Sequence, residues 1–328
     1  MIFNQFENKN HVIESLAFGK ETIMKKVKYL PLLKENMGEE AALERAALLG
    51  IDEKTELPMD DPLQVRLVHK LERRSEDHVL QGTACHKGII FQGYDGGRCM
   101  TYRLDNGEKL GEFHLGSFYT HNHCGNLIFG TQYPKGNDRF PALYVSGDLT
   151  TKACYVESVT ETSAELLQTI YFDIEPSTYT GGQVILDFAR NRLVYMQREF
   201  RKINDPQNVY RMCEFPIPSL DDGAEIHFTN ADMLCPAYVM PFYPTIYQAA
   251  YIEGNMLLQS FGRGIPCYTG AVVGLVCYDT ATHEVKHIFD LTPDVDVEPE
   301  GLFVEDGRVY LCFVNGELYE LAPRERML

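Results

Sequence analysis

No stretch of the sequence reaches the roughly 18 to 20 consecutive apolar residues that a membrane-crossing helix needs. Between Met1 and Leu30, Asn, Glu, Lys and His interrupt every short apolar run. Neither a spanning helix nor a secretion signal is expected. Cationic residues are also few: Lys and Arg number 30 against 47 Asp and Glu, a formal net charge of -17. Nucleic acids and anionic membranes draw most of their affinity from clustered Lys and Arg, so neither is an expected partner. Tryptophan is absent, and the nine cysteines are scattered without a CxxC pair. Most lie beside apolar or β-branched neighbours, as in Val276-Cys277-Tyr278 and Leu311-Cys312-Phe313. They read as free thiols acting as small buried hydrophobes, which suits a reducing, cytoplasmic setting. A Walker loop, a dinucleotide fingerprint, a zinc-protease helix and a GxSxG elbow are all missing, and no cofactor is expected.

What the chain does hold changes character after about sixty residues. Gly38-Glu-Glu-Ala-Ala-Leu-Glu-Arg-Ala-Ala-Leu-Leu-Gly50 consists of strong helix formers closed by a glycine, which predicts a capped helix. Residues 10–28 are a weaker helical candidate ending near Pro31, and Glu56 to Pro62 has the acidic, proline-bearing composition of a linker. Residues 1–60 are therefore expected to form a helical arm and 61–328 a β domain. From about Gln64 onward, short runs of Val, Ile, Leu, Tyr and Phe alternate with Gly, Asn, Asp and Pro, an all-β signature.

Aligned against itself, the β region repeats one unit: a polar residue, a short apolar strand, a Gly or Asn turn, a second apolar strand, then outer strands. Five copies begin near Gln81, His121, Gln183, Gln248 and Glu300, with turns at Lys87-Gly88, Gly125-Asn126, Arg190-Asn191, Gly254-Asn255 and Asp306-Gly307. The fifth copy lacks an outer strand. Gln64-Val-Arg-Leu-Val-His-Lys-Leu71 has the alternation to supply it, stapling the chain ends together and removing exposed sheet edges. These five turn segments and the terminal strand resemble the five-bladed β-propeller class known from sugar-binding lectins, furanoside hydrolases and calcium-dependent nucleotidases. The resemblance spans about residues 64–322. A narrower likeness, in His121–Asn126 and Glu298–Gly301, is to prophage-borne propellers associated with teichoic acid.

In such a ring the residues opening each innermost strand face the central channel. Gln81, His121, His123, Gln183, Gln248 and the neighbouring Tyr247 are the candidate ligand-binding residues, because they offer donors and acceptors suited to sugar hydroxyls. Two Asp-x-Glu-Pro segments, Asp173-Ile-Glu175-Pro176 and Asp296-Val-Glu298-Pro299, place acidic loops ahead of proposed blades. With Glu300, the carboxylates Asp173, Glu175 and Glu298 are the candidate catalytic residues, since glycoside hydrolysis needs a pair separated by about 5 to 10 Å. Furanosidases of the resembled class carry three acidic residues on separate inner strands, whereas here the second to fourth anchors are His or Gln. A metal is not expected, because in a strand His121 and His123 point one way and Cys124 the other. The leading expectation is a non-catalytic module recognising carbohydrate or a protein surface at the channel mouth. A hydrolase using the rim carboxylates is the alternative, and a scaffold assembling through the helical arm is a third.

Overall fold

The computed structural model describes residue 13 and residues 25–60, 63–72, 79–118, 122–147, 152–175, 180–199, 208–242, 246–262 and 271–323. Five small sheets form a five-bladed β-propeller. Blade 1 is an antiparallel sheet of Leu80–His86, Ile89–Tyr94, Arg98–Arg103 and Lys109–His114, listed from the channel outward. Blade 2 runs outward through Leu127–Phe129, Leu143–Ser146, Ala153–Val159 and Ala164–Asp173, and Glu225–Thr229 adds a parallel edge strand. Blade 3 comprises Thr180–Asp187, Arg192–Glu199, Val209–Pro216 and the two-residue strand Tyr238–Val239. Blade 4 comprises Tyr247–Glu253, Met256–Gly262, Val273–Asp279 and Glu284–Asp290. Blade 5 is Pro299–Glu305, Arg308–Phe313 and Glu317–Ala322, completed by Gln64–Lys70.

Local chemistry explains the hairpins. In the turns Lys87-Gly88 and Asp306-Gly307 both central residues have positive φ, 50° and 73° in the first, 48° and 74° in the second. This is the type I′ geometry whose twist matches the flanking strands, and a glycine at the second position adopts it without strain. The closing strand pairs antiparallel with blade 5, from Lys70 opposite Glu317 to Gln64 opposite Ala322. Strands from the two ends of the sequence thus share one sheet, and the ring closes as the alternation predicts.

Apolar side chains fill the spaces between blades. Five buried clusters lie one at each blade boundary. At the boundary of blades 2 and 3, Phe172 stacks on Tyr195 with ring centroids 3.9 Å apart. At that of blades 1 and 2, Phe91 meets Phe129 edge to face at 5.1 Å. Burying each such side chain contributes about 1.5–3 kcal/mol. At the axis, the Asn126 side-chain amide donates to the Val184 carbonyl at 2.9 Å and the Ala250 carbonyl at 3.4 Å, tying blades 2, 3 and 4 together.

Two helices, α1 (Tyr29–Met37) and α2 (Glu39–Leu49), pack on the boundary of blades 3 and 4 through Tyr29, Leu30, Leu33, Ala42, Ala46 and Leu49. Gly50 ends α2 in the left-handed region, at φ 67° and ψ 30°, as its composition predicts. Three local expectations need correction. Lys25–Lys28, placed in a helical candidate, is a strand, and Pro31 lies inside the first turn of α1 instead of ending a helix. A first-turn proline is tolerated because its missing N–H has no intrahelical partner there. Glu56–Asp60, expected as linker, is a strand between Lys25–Lys28 and the outer edge of blade 4. In blade 2, Leu127–Phe129 is itself the innermost strand, and residues 122–126 are the loop that enters it. No helix among the described residues is long and apolar enough to cross a membrane.

Candidate functional site

The innermost strands share an irregularity at the channel mouth. In blade 1, Gln81 and Gly82 both lie opposite the single residue Gly93. In blade 4, Gln248 and Ala249 lie opposite Ser260, and in blade 5 Glu300 is the extra residue between Pro299 and Gly301. Blade 3 bulges at Gly181, two residues before Gln183. A bulge releases a residue from the ladder and re-aims its side chain. A small residue follows each bulged anchor because the inner strands crowd there: a Cβ on Gly301 would stand 2.3 Å from Thr83, and one on Gly82 2.5 Å from the Cys124 carbonyl oxygen.

The anchors converge on one cavity of about 310 Å³, lined from all five blades. Gln81 and Asp95 come from blade 1, His123 and Gly125 from the loop entering blade 2, and Gln183 and Arg198 from blade 3. Tyr247 and Gln248 come from blade 4, and Glu298 and Glu300 from blade 5. His123 Nδ1 lies 2.6 Å from Asp95 Oδ1, and the Gln81 amide reaches Asp95 Oδ2 at 3.5 Å. The Gln248 amide donates to Glu298 Oε1 at 2.5 Å. Gln183 donates to the Gly125 carbonyl at 3.3 Å and accepts from Gln259 at 3.2 Å. Gln259 is fully buried on the second strand of blade 4, and its amide also bonds the carbonyls of Gln248 and Ala249. It therefore holds the blade 4 bulge in shape. Tyr247 presents only part of its ring: it is 3% exposed, and its hydroxyl donates to the Phe242 carbonyl at 2.7 Å. Tyr210, against Arg198, is likewise buried, and burial raises its hydroxyl above the usual phenol range.

Two of the expected carboxylates are elsewhere. Asp173 ends the fourth strand of blade 2, three strands outward from the channel, or roughly 14 Å at strand spacing. There its carboxylate bonds His227 Nδ1 at 2.7 Å on an exposed edge. Glu175 follows directly, with its backbone N–H bonded to Asn230. The two Asp-x-Glu-Pro segments are thus not equivalent: one leaves an outer strand, the other enters an inner one. Asp173 and Glu175 do not join Glu298 and Glu300. His121 lies outside the described residues. No group of three or more His, Cys, Asp or Glu side chains able to hold a metal occurs among the described residues.

Asp95 and Arg198 line the cavity without having been singled out in the sequence. Asp95 sits in Gly93-Tyr94-Asp95-Gly96-Gly97, which reads as an ordinary hairpin turn, and Arg198 is the penultimate residue of the strand Arg192–Glu199, among other charged residues. The buried glutamines of second strands, Gln92, Gln197 and Gln259, each lie opposite or beside a bulge and were the signal available.

No protein-family model matches the chain, and no curated protein matches it. Among solved structures, glutaminyl cyclase from Myxococcus xanthus is 13% identical with a TM-score of 0.48, the match covering 79% of this chain and 96% of that one. The computationally designed Ika8 protein is 11% identical with a TM-score of 0.35, over 78% of this chain and 99% of that one. Both are likenesses of outline that say nothing of activity, and the propeller architecture rests on the sheet order described above.

Proposed function

We propose that the channel mouth binds a small, hydroxyl-rich ligand of carbohydrate size. The observation that carries this reading is the convergence of polar side chains from all five blades on one concavity of about 310 Å³. Ligand pockets run from roughly 300 to 1,000 Å³, so this one suits one or two sugar rings. A protein surface could enter it only by a side chain, which favours carbohydrate over protein as the recognised partner. Gln81, Gln183 and Gln248 each offer both a donor and an acceptor, the pairing a sugar hydroxyl requires. Their bonds to Asp95, Gly125 and Glu298 orient them before any ligand arrives, which lowers the entropy lost on binding. Calorimetric titration of a mono- and disaccharide panel tests the reading. Gln248→Ala is expected to weaken binding about tenfold, the loss of one to two hydrogen bonds. A panel without binders, or one whose binders ignore Gln248→Ala, would sink it.

Hydrolysis is the second reading, favoured by the Asp95–His123 pair. A carboxylate on Nδ1 fixes the imidazole ring and its tautomer, leaving Nε2 to exchange a proton with a bound molecule. Glu298 and Glu300 line the same cavity. Glu300→Gln separates the two readings: a hydrolase loses turnover while retaining much of its affinity, and a recognition module has no turnover to lose.

A further inference from the structure

Two half-exposed side chains do not fix each other in water. His123 and Asp95 have side chains 35% and 38% exposed, yet Nδ1 of one stands 2.6 Å from Oδ1 of the other. An exposed pair gains little by itself and costs side-chain entropy to hold in one geometry, so the backbone beneath must supply the precision. Both backbones meet at one residue. Asn122, 1% exposed, accepts the Cys124 N–H on Oδ1 at 2.9 Å and the Gly96 N–H on its main-chain carbonyl at 2.9 Å. The first bond closes a turn around His123, and the second clamps the residue that follows Asp95. The turn bond also holds Cys124 at φ 55°, a conformation that residues other than glycine seldom adopt.

The orientation of the Asn122 amide is determined at both ends. A backbone N–H can only donate, so the amide oxygen faces Cys124 and the amide nitrogen faces Ser117, to whose hydroxyl it donates at 2.7 Å. That hydroxyl donates onward to Glu157 Oε1 at 2.7 Å, and the same oxygen accepts the Ser117 N–H at 3.0 Å. Ser117 and Glu157 are fully buried, Glu157 on the third strand of blade 2. We infer that Asn122 is a positioning residue for the His123–Asp95 pair, aligned through Ser117 by the Glu157 carboxylate in the interior of blade 2. A carboxylate remote from the cavity thereby sets the imidazole that lines it. With Asp95 on Nδ1, the neutral ring carries its proton there. A ring released from Asp95 returns to the Nε2–H tautomer favoured in water. The consequence for affinity rests on the reading of the channel mouth as a ligand site, whereas the alignment of the ring does not.

The test is a double-mutant cycle on the full chain with two readouts. Nitrogen NMR of the imidazole rings, with His123 assigned by its loss in His123→Ala, should show Nδ1 protonated in the neutral wild type. Asn122→Ala, which removes the amide, should shift the ring toward the Nε2–H tautomer. Ser117→Ala, which leaves both backbone contacts of Asn122 in place, should shift it in the same direction by less, and it decides the matter if Asn122→Ala does not fold. The second readout is calorimetric titration with the strongest binder of the mono- and disaccharide panel. Asn122→Ala should weaken that binding about three- to tenfold, the worth of one hydrogen bond. The double variant Asn122→Ala, His123→Ala should bind no more weakly than His123→Ala alone, because a positioning residue has nothing left to position. Unchanged His123 ring signals in the folded variants overturn the inference, and so does a double variant whose losses multiply, the mark of a merely structural effect. If no saccharide binds the wild type, the ligand reading fails while the spectra still decide the positioning role.

Discussion

One strand, Thr180–Asp187, reaches two clusters of ionisable side chains that could hardly differ more. At its start, Gly181 to Gln183 border the open cavity, where His123 and Asp95 have side chains 35% and 38% exposed. At its end, about 13 Å away at strand rise, Asp187 is fully buried against Arg192, with Nε at 2.8 Å. Arg192 also pairs with Glu214 and bonds Thr280 Oγ1 of blade 4 at 3.0 Å, while the Tyr238 hydroxyl donates to Glu214 at 2.8 Å. The second cluster is closed: Arg192 answers both carboxylates within blade 3 and reaches Thr280 of blade 4, and the Arg192, Asp187 and Glu214 side chains are only 6%, 1% and 9% exposed. Residue type does not distinguish the two. Saturation and access to a cavity do, so Asp187, attractive as an inner-strand carboxylate, is a structural residue.

The contrast can be broken by mutation, most severely at the closed cluster. Arg192→Met leaves Asp187 with the longer Arg190 contact at 3.8 Å and Glu214 with the Tyr238 hydroxyl, and breaking a buried pair in this way costs about 3–5 kcal/mol. Denaturant unfolding should report that loss, while the remaining folded protein should bind sugars with unchanged affinity. A loss below about 1 kcal/mol would mean that the cluster does not hold the seam. Glu157 makes a second closed site between blades 1 and 2. It accepts hydrogen bonds from the N–H groups of Gly116 at 2.8 Å and Ser117 at 3.0 Å and from the Ser117 hydroxyl at 2.7 Å. Glu157→Ala orphans those donors and should cost about 1–3 kcal/mol. Burial raises the Glu157 carboxyl above its usual value. A folded-state pKa above the unfolded one gives stability that is present below about pH 4.3 and lost as pH rises through the folded value. The gap between wild type and Glu157→Ala should therefore be wider at pH 4 than at pH 7, and the reverse trend would show that the donors outweigh desolvation.

Much of this architecture was legible because its signals are local. Lys87-Gly88 and Asp306-Gly307 state their turn type in two residues, and the alternation of Gln64–Leu71 marks a strand whose partner is missing from the last repeat. The anchors were legible because a bulge leaves a polar residue followed by a small one, as in Gln81-Gly82, Gln248-Ala249 and Glu300-Gly301. What stayed hidden depends on distant pairing. Glu56–Asp60 is a strand because Glu56 to Met59 pair with Lys28 to Lys25 and Met59 meets Ile288 in parallel register, and nothing within five residues announces partners some 30 and 230 positions away. Asp173 copies the local pattern of Asp296 but sits at an outer edge, a difference set by sheet order alone. Asp95 was concealed by the glycines around it, of which Gly96 and Gly97 serve the turn at positive φ and Gly93 the close approach of Cys124.

The smallest stability change should come from the open cluster. His123→Ala removes one partner of Asp95, but Asp95 is more than a third exposed and keeps its hydration, so the uncompensated carboxylate costs little. The melting free energy should stay within about 0.5 kcal/mol of wild type, as for substitutions away from buried networks. Saccharide affinity should nevertheless fall, because the imidazole forms one wall of the cavity. A destabilisation above about 2 kcal/mol would place His123–Asp95 with the closed clusters as a structural pin between blades 1 and 2. The distinction drawn from the strand Thr180–Asp187 would then fail at the residue where it matters most. A stable variant with reduced affinity would show instead that the propeller keeps its ionisable pairs in two classes, those that hold blades together and those left at the mouth for a ligand.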